Sequence, residues 1–510
     1  MTNPNTYPVR YESRNNKGSF FALVLAGIFI AFFTGAFAAF GSPFLLMIFL
    51  GAVIGIGLIF KPRIAVWVVI VAGTIVSGLI ELYFPRLQQL RWGIALLSIV
   101  LIIVSLLASM TSSRAAKQNK LDSAAKSVLF VAAGLVVCVL FTVLANPTSL
   151  GTSLVGMKNY FQMFGLLAAL SAFRYTPDEA TKFMRFILLL GLIQLPFVLH
   201  QFLVLVPMRS GAYFAAKGVV AVDVVAGTFG SYMNGGGRSA VLALLASIGI
   251  VLVLAQWRAG FRSIVSTFTY FLVFAIPMAL NEAKLFIFLL PAGLFLLYRD
   301  RILRNPIKAV ASVIMVLILV IGLFASYTLL PSAKGQHPLS VDKYLDMTLS
   351  YNVGKVGYGG GVLNRMTVYP FWWKENVNRG DYLKAIVGHG LGASNSTSSV
   401  ATNTLASTRY RGYDIGLTTV SSLLWEVGLA GTFAMFLFIF MAYRLGGKLE
   451  KRWRGNVYWP FIRTAQLTMP LIAISLFHNN FLIFDIGYQV LFLLSIGYLV
   501  ALSRYFPEPK

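Results

Sequence analysis

NRMTVYPFWWKENVNRGDYLKAIVGHGLG, residues 364–392, decides how the rest of the chain is read. It lies within a polar, aromatic-rich segment from Leu330 to about Leu417, set between hydrophobic runs that alone would read as a plain membrane protein. Connections between packed elements usually run about 4–6 residues, and one longer than about 15 is functional or disordered. This segment carries Tyr369, Phe371, Trp372, Trp373, Tyr410 and Tyr413, too many large aromatics for a disordered linker. It predicts a folded helical cap on one face of a membrane bundle, with the functional site beneath it.

Outward from the cap, the 510-residue chain is 58% hydrophobic and 12% charged. A soluble domain is about 25% charged, so composition points to an all-α polytopic membrane protein. Apolar runs long enough to span, at about 20 residues each, fall near 20–40, 43–60, 64–83, 92–110, 128–146, 155–173, 184–206, 224–255, 264–280, 284–298, 307–330, 418–443, 457–478 and 481–503. That predicts about fourteen transmembrane helices, give or take about two because 264–280 and 284–298 could be one broken element. The expected organisation is a bundle over 1–329, the large loop over 330–417 and a C-terminal group of helices over 418–510.

Lys and Arg in short loops set the orientation. With Arg10, Arg14 and Lys17 in the cytoplasm, alternating loops collect Lys61, Arg63, Arg258, Arg301, Lys448 and Arg452 inside, and the long loop falls outside. Much of the +25 net charge is thereby topological. No basic cluster sits on a soluble domain, so a nucleic-acid partner is not expected.

The first apolar run is long enough to span and lacks a small-residue cleavage site, so no cleaved leader is expected. Cys138 is the only cysteine and lies in a span, which excludes a disulfide in the loop. The four histidines lack metal-ligand spacing, and no Walker motif is present. His200 and His478 read as interfacial or internally hydrogen-bonded.

Charged groups inside a membrane domain are costly and are functional candidates. In this topology Arg238 follows a Gly-rich turn at the outer start of a span, Glu282 and Lys284 lie at the same side, and Arg209 and Lys217 occupy the preceding outer loop. The cap adds Arg365, Arg379, Arg409 and Arg411. Snorkelling to the interface explains any one of them. As a group, cations beside flexible backbone suit a diphosphate. Residues 364–373 read as a helix with Arg365 near its start, Pro370 kinking it, and Tyr369, Trp372 and Trp373 facing together as a platform for a sugar ring. An amphipathic interfacial helix explains the aromatics equally well.

These residues resemble the O-antigen ligase and polymerase superfamily, membrane glycosyltransferases that use polyprenyl-diphosphate-linked glycans. The resemblance covers roughly the C-terminal 300 residues and is one of pattern. Gly227-Thr-Phe-Gly is similar to the family's Gly-Thr-Phe turn, and Asn281-Glu-Ala-Lys284 stands where Ser-Arg often begins a helix. Asn364-Arg365, Trp372-Trp373 and Gly388-His-Gly-Leu-Gly392 resemble the run in the large external loop, and Trp425-Glu426-Val-Gly428 resembles the start of the helix after it. The chain departs from the ligases at Leu417-Thr418, where they carry His-Asn, and from the family at Val225-Ala226, which replaces an arginine.

The resemblance implies a polymerase at the outer face of the bacterial inner membrane, acting on polyprenyl-diphosphate-linked oligosaccharide and the growing polysaccharide. It implies neither cofactor nor metal, and it allows a chain-length regulator and a flippase as partners. Arg365, Arg238 and Lys284 are expected to stabilise the departing diphosphate. Asp414, Glu375, Asp381, Glu426 and His389 are all possible bases for the acceptor hydroxyl. Tyr369, Trp372, Trp373, Arg209, Lys217, Arg409, Tyr410 and Arg411 are expected to contact substrate. A ligase and a lipid-linked oligosaccharide flippase are the alternatives. A transporter should show paired repeats and a charged midplane site, and no clear internal repeat is found.

Overall fold

The computed structural model describes residues 61–111, 121–146, 149–211, 213–214, 219–233, 235–305, 363–395 and 403–506, with scattered single positions such as Asn352 and Gly354. The chain divides into two units, Met1–Lys61 and Pro62–Lys510, and the elements that follow belong to the second. Arg10, Arg14, Lys17, Lys217 and nearly all of the predicted spans 20–40, 43–60 and 307–330 lie outside the described residues.

Among the described residues every regular element is helical, apart from an isolated bridge between Ser231 and Gly237. In chain order the helices begin with α1 (Pro62–Tyr83), α2 (Leu90–Thr111), α3 (Ser123–Ala145), α4 (Leu150–Phe161), α5 (Phe164–Ala172) and α6 (Pro177–Arg209). Next come α7 (Ser239–Arg258), α8 (Ile264–Leu280) and α9 (Phe286–Ile302). The described residues between 363 and 417 hold α10 (Val368–Asn376), α11 (Tyr382–Val387) and α12 (Leu405–Thr408). The chain finishes with α13 (Thr419–Glu426), α14 (Gly428–Arg452), α15 (Trp459–Ser475), α16 (Phe481–Phe484) and α17 (Ile486–Leu502).

Six helices, α1, α2 with its leading turn, α3, α6, α7 and α14, are long and apolar enough to cross a bilayer. This is a helical membrane protein. Other predicted spans are shorter or broken. Segment 155–173 splits into α4 and α5, and the first part of 224–255 is a 3₁₀ turn at Gly227–Phe229 rather than a helix. Segments 264–280 and 284–298 are separate helices, and α8, α15 and α17 have 17 residues each, a rise of about 25 Å. Segment 418–443 breaks between α13 and α14 at Gly428, whose φ of +65° favours glycine; a Cβ there would lie 2.3 Å from the Ile386 carbonyl. Uniform apolarity sets the length of a run but carries no mark of where it breaks.

The core is built on two helices. All of α17 and most of α7 are buried, as a helix apolar on every face must be. Helix α17 packs on α5, α6, α14 and α15, and α7 packs on α8, α9 and α15. By contrast α2 and α3 bury 28% of their apolar windows and present Phe130, Leu144 and Met110 outward, a lipid-facing pattern.

Helices α10 and α11 pack against α13, and α11 reaches α14. Trp372 Nε1 donates to the Leu424 carbonyl at 3.0 Å, and Thr142 Oγ1 donates to the Val387 carbonyl at 2.9 Å. The predicted helix over 364–373 is shifted to Val368–Asn376. Asn364 instead turns the chain into it, its Oδ1 accepting from Met366 and Thr367 N–H. Pro370 falls in the first turn, where a missing N–H has no intrahelical acceptor to lose.

Candidate functional site

The site begins with the Gly227-Thr-Phe turn. Two glutamines of α6 take over its backbone. Gln194 Oε1 accepts from Thr228 N–H at 2.7 Å, while Gln201 Oε1 accepts from Ala226 and Gly227 N–H at 3.0 and 2.7 Å. Thr228 Oγ1 donates to the Thr74 carbonyl at 2.7 Å. Gln201 and Thr74 both lie in π-helical turns, Gln201–Leu205 and Ala72–Val76. Such bulges tilt side chains and free carbonyls, and they recur at functional sites. The loop after the turn closes on itself, Arg238 N–H donating to the Gly230 carbonyl at 3.1 Å. Arg238 is thereby delivered to the start of α7.

Four charged side chains from four helix ends meet there. Glu81, at the end of α1, has a fully buried side chain. Its Oε1 accepts from Arg91 at 2.6 Å and from Arg238 at 2.5 Å. Arg238 Nε lies 3.0 Å from Glu81 Oε2 and 2.8 Å from Asp485 Oδ2. Asp485 also caps α17, accepting from Tyr488 N–H at 2.7 Å. Gly230, at φ +101°, allows the carboxylate in, since a Cβ would lie 2.3 Å from Glu81 Oε2. Two arginines against two carboxylates make a near-neutral, buried clasp joining α1, α2, α7 and α17.

Beside the clasp is a cavity of about 730 Å³. Arg91, Lys158, Arg238 and Arg365 line it, with Asp414 and His478 among the other groups. Lys158 Nζ sits 4.7 Å from the Trp92 ring centre, and among the described residues no carboxylate pairs with it. Arg365 Nε donates to the His478 carbonyl at 2.7 Å, and its Nη1 reaches Asn352. Buried N–H groups of three lining residues, Arg91 Nε, Gln162 Nε2 and Asn479 Nδ2, have no hydrogen-bond partner among the described residues. Unmade buried donors are costly, and a wall rich in them suits an anionic, acceptor-bearing ligand. Asp414 brings a carboxylate with φ +52°, a conformation that non-glycine residues rarely hold outside functional or strained sites. Solvent displaced by the surrounding protein raises its carboxyl above the usual aspartate range.

The sequence-derived candidates separate into three groups. Arg238, Arg365 and Asp414 are brought to the cavity. Lys284 and Arg209 do not line it and have Asp223 as a common charged neighbour: burial lowers the Lys284 pKa, with Glu282, Arg365 and Asp223 as its charged neighbours. Arg209 is buried, donates to the Gly235 carbonyl at 2.7 Å, and keeps Nε and Nη1 without partners among the described residues. The other candidates among the described residues do not line the cavity. Glu426 is buried and accepts from Ser394 Oγ at 2.6 Å. His389 Nε2 bonds Asn376 Oδ1 at 2.6 Å, and burial first, then Lys384 and Arg409, lower it to about 4. Glu375 is taken up by the Tyr410 hydroxyl at 2.6 Å and by Arg379 at 2.7 Å, with Arg409 at 3.7 Å. Asp381 caps α11.

The expected aromatic platform is divided. Trp372 is buried inside the cap and Trp373 is exposed, while the Tyr369 hydroxyl bonds Thr418 Oγ1 at 3.0 Å. Tyr410 packs with Phe371, Tyr413 and Trp425 in an aromatic cluster against α13. Arg411 is exposed. Sequence reasoning passed over Glu81 and Asp485, acids embedded in the apolar strings LIELYF and IFDIGY, and gave no role in the site to Lys158 and Arg91. An acid inside an apolar run was the signal for the first two.

The fold and site define a helical membrane protein with a cation-lined cavity at one end of its bundle. No protein-family model matches the chain, and no curated protein matches it.

Proposed function

We propose that the chain is a glycosyltransferase that polymerises polyprenyl-diphosphate-linked oligosaccharide repeats into a surface or secreted polysaccharide. The observation that carries the reading is the cavity of about 730 Å³, whose wall holds four cations together with buried donors and one carboxylate, Asp414, that have no partner among the described residues. In the reaction, the bond between the sugar anomeric carbon and the diphosphate oxygen breaks as the acceptor hydroxyl oxygen bonds that carbon. Arg365, Lys158 and Arg91 hold the diphosphate as negative charge develops on it. Asp414 takes the acceptor proton, and the lipid diphosphate leaves. Arg238, matched by two carboxylates, positions the others more than it supplies charge.

The wider reading comprises about fourteen spans, the 330–417 cap on the outer face of a bacterial inner membrane, no cofactor, and a flippase and a chain-length regulator as partners. Arginines and lysines gathered at the opposite helix ends, among them Arg63, Arg258, Lys448 and Arg452, support that orientation. Leu417-Thr418 in place of the His-Asn of ligases favours polymerisation over a single transfer.

The test is reconstitution of purified protein in lipid with polyprenyl-diphosphate-linked oligosaccharide as the sole substrate. A ladder spaced by one repeat, lost in Arg365→Ala and Lys158→Ala variants that still insert and fold, is expected. A single transferred glycan would make the protein a ligase. Movement of substrate across the bilayer without a new glycosidic bond would replace the enzyme reading with a transporter.

A further inference from the structure

Arg258 ends α7 twenty residues after the site's Arg238 begins it, about 30 Å away along the helix. At that far end three chain segments enclose a second cavity of about 390 Å³. Its wall carries Arg258, Arg301, Arg304 and Arg454 against one carboxylate, Asp300, with Trp459 as an aromatic face. Arg258 is fixed in place: its guanidinium lies 5.7 Å from the Tyr298 ring centre and 5.8 Å from that of Trp459, and it donates to the Leu297 carbonyl. Arg454 keeps a loose pair with Glu450 at 3.6 Å, and Asp300 is turned to Arg299 at 3.6 Å. Among the described residues neither Arg301 nor Arg304 has a carboxylate within ion-pair distance.

Arginines that only mark a membrane face spread around its rim and solvate separately. These four arrive from three segments distant in sequence and converge on one concavity, where they outnumber Asp300 and Glu450, the loose partner of Arg454. A planar guanidinium with several donors matches phosphate oxygens. Phe261 and Leu303, 50% and 71% exposed, flank the arginines, so apolar surface adjoins the charge, as at the boundary between lipid headgroups and acyl chains. We infer that this cavity binds a phosphate group, and that the phosphate is the headgroup of an anionic phospholipid in the leaflet opposite the proposed catalytic face. This site is separate from the glycosyl-transfer reading and stands or falls without it.

The experiment is native mass spectrometry of the full-length protein released from detergent, titrated with phosphatidylglycerol, phosphatidylcholine or inorganic pyrophosphate. Phosphatidylglycerol should bind at least about tenfold more tightly than phosphatidylcholine. Arg301→Gln with Arg304→Gln should abolish that preference, and Arg444→Gln, an exposed arginine of α14 outside the cavity wall, should keep it. Asp300→Asn removes the one carboxylate and should tighten binding, a gain that no folding defect can imitate. Pyrophosphate binding with the same variant dependence, and no preference for phosphatidylglycerol, would uphold the phosphate site but make its ligand soluble. Equal behaviour of Arg444→Gln and the double variant, or no discrimination among the three ligands, would reduce the cluster to a diffuse basic belt and overturn the inference.

Discussion

The two ends of α7 solve the same problem differently. Arg238 at its start is held by Glu81 and Asp485, both buried, and is flanked by the Tyr232 and Phe481 rings at 5.9 and 5.8 Å. Arg258 at its end is held by a carbonyl and two aromatic faces, with exposed arginines around it. Buried acids fix cations in one geometry, because an ion pair out of water cannot be replaced by solvation. Exposed cations pair loosely and are screened. The first arrangement suits a site where a leaving group must meet charge at a set position; the second suits capture of a diffuse anion.

The largest expected effect tests that contrast directly. Glu81→Ala leaves Arg238 and Arg91 without their shared partner and should destabilise the protein by about 3–5 kcal/mol. Asp300→Ala, at the opposite end, loses a 3.6 Å pair with Arg299 in which both side chains are nearly half exposed, and should cost about 1 kcal/mol or less. Thermal unfolding of the two variants in one detergent gives the comparison, and equal losses would break it.

Next in size is Asp414→Asn, expected to lower glycosyl transfer by about 10²–10⁴-fold, the usual worth of a general base, with melting temperature unchanged. The base must be ionised and its pKa is raised. Activity should therefore rise with pH through a limb above the ordinary aspartate value, and the variant should lack that limb. A variant with wild-type rate and profile would remove Asp414 from the chemistry.

Gly230→Ala should cost about 1–3 kcal/mol through backbone strain and displace Glu81, which approaches where a Cβ would stand. Unfolding together with transfer assays should show both losses in parallel, since one geometry serves stability and cavity. The smallest effect belongs to His389. Its folded pKa, lowered from 6.5 to about 4, means that its contribution to stability is present above pH 6.5 and fades as pH falls towards 4. His389→Gln should flatten that part of the melting-temperature profile without altering transfer at neutral pH.

Legibility differed from element to element. The apolar runs at 64–83, 92–110 and 128–146 correspond closely to α1, α2 and α3, because length and hydropathy are local properties. The breaks at Gly428, at Gln162 and Met163, and after Phe484 were not visible, since the Ile386 carbonyl of α11 lies against Gly428, the Gln489 side chain accepts from Met163 N–H, and Asp485 caps α17. Within the site, Arg238, Arg365 and Asp414 were nominated from residue type and order, and they share the cavity. Glu426, His389 and Glu375 were equally plausible in sequence, yet each is engaged by a neighbour from another segment. Trp372 and Trp373 are adjacent in sequence and opposite in exposure, so side-chain spacing along one helix could not assign them to a common face.

The sequence by itself determined that this is a helical membrane protein, with cations biased to particular loops. Those properties follow from transfer free energies, which each residue carries wherever it stands. Only the tertiary structure decided which charges are matched and which face a cavity. Glu81, Arg91, Arg238 and Asp485 are separated by up to several hundred residues, and their pairing depends on four helix ends arriving at one point. Ion pairing and desolvation depend on distances of a few ångströms, and the packing of α1, α2, α7 and α17 sets those distances.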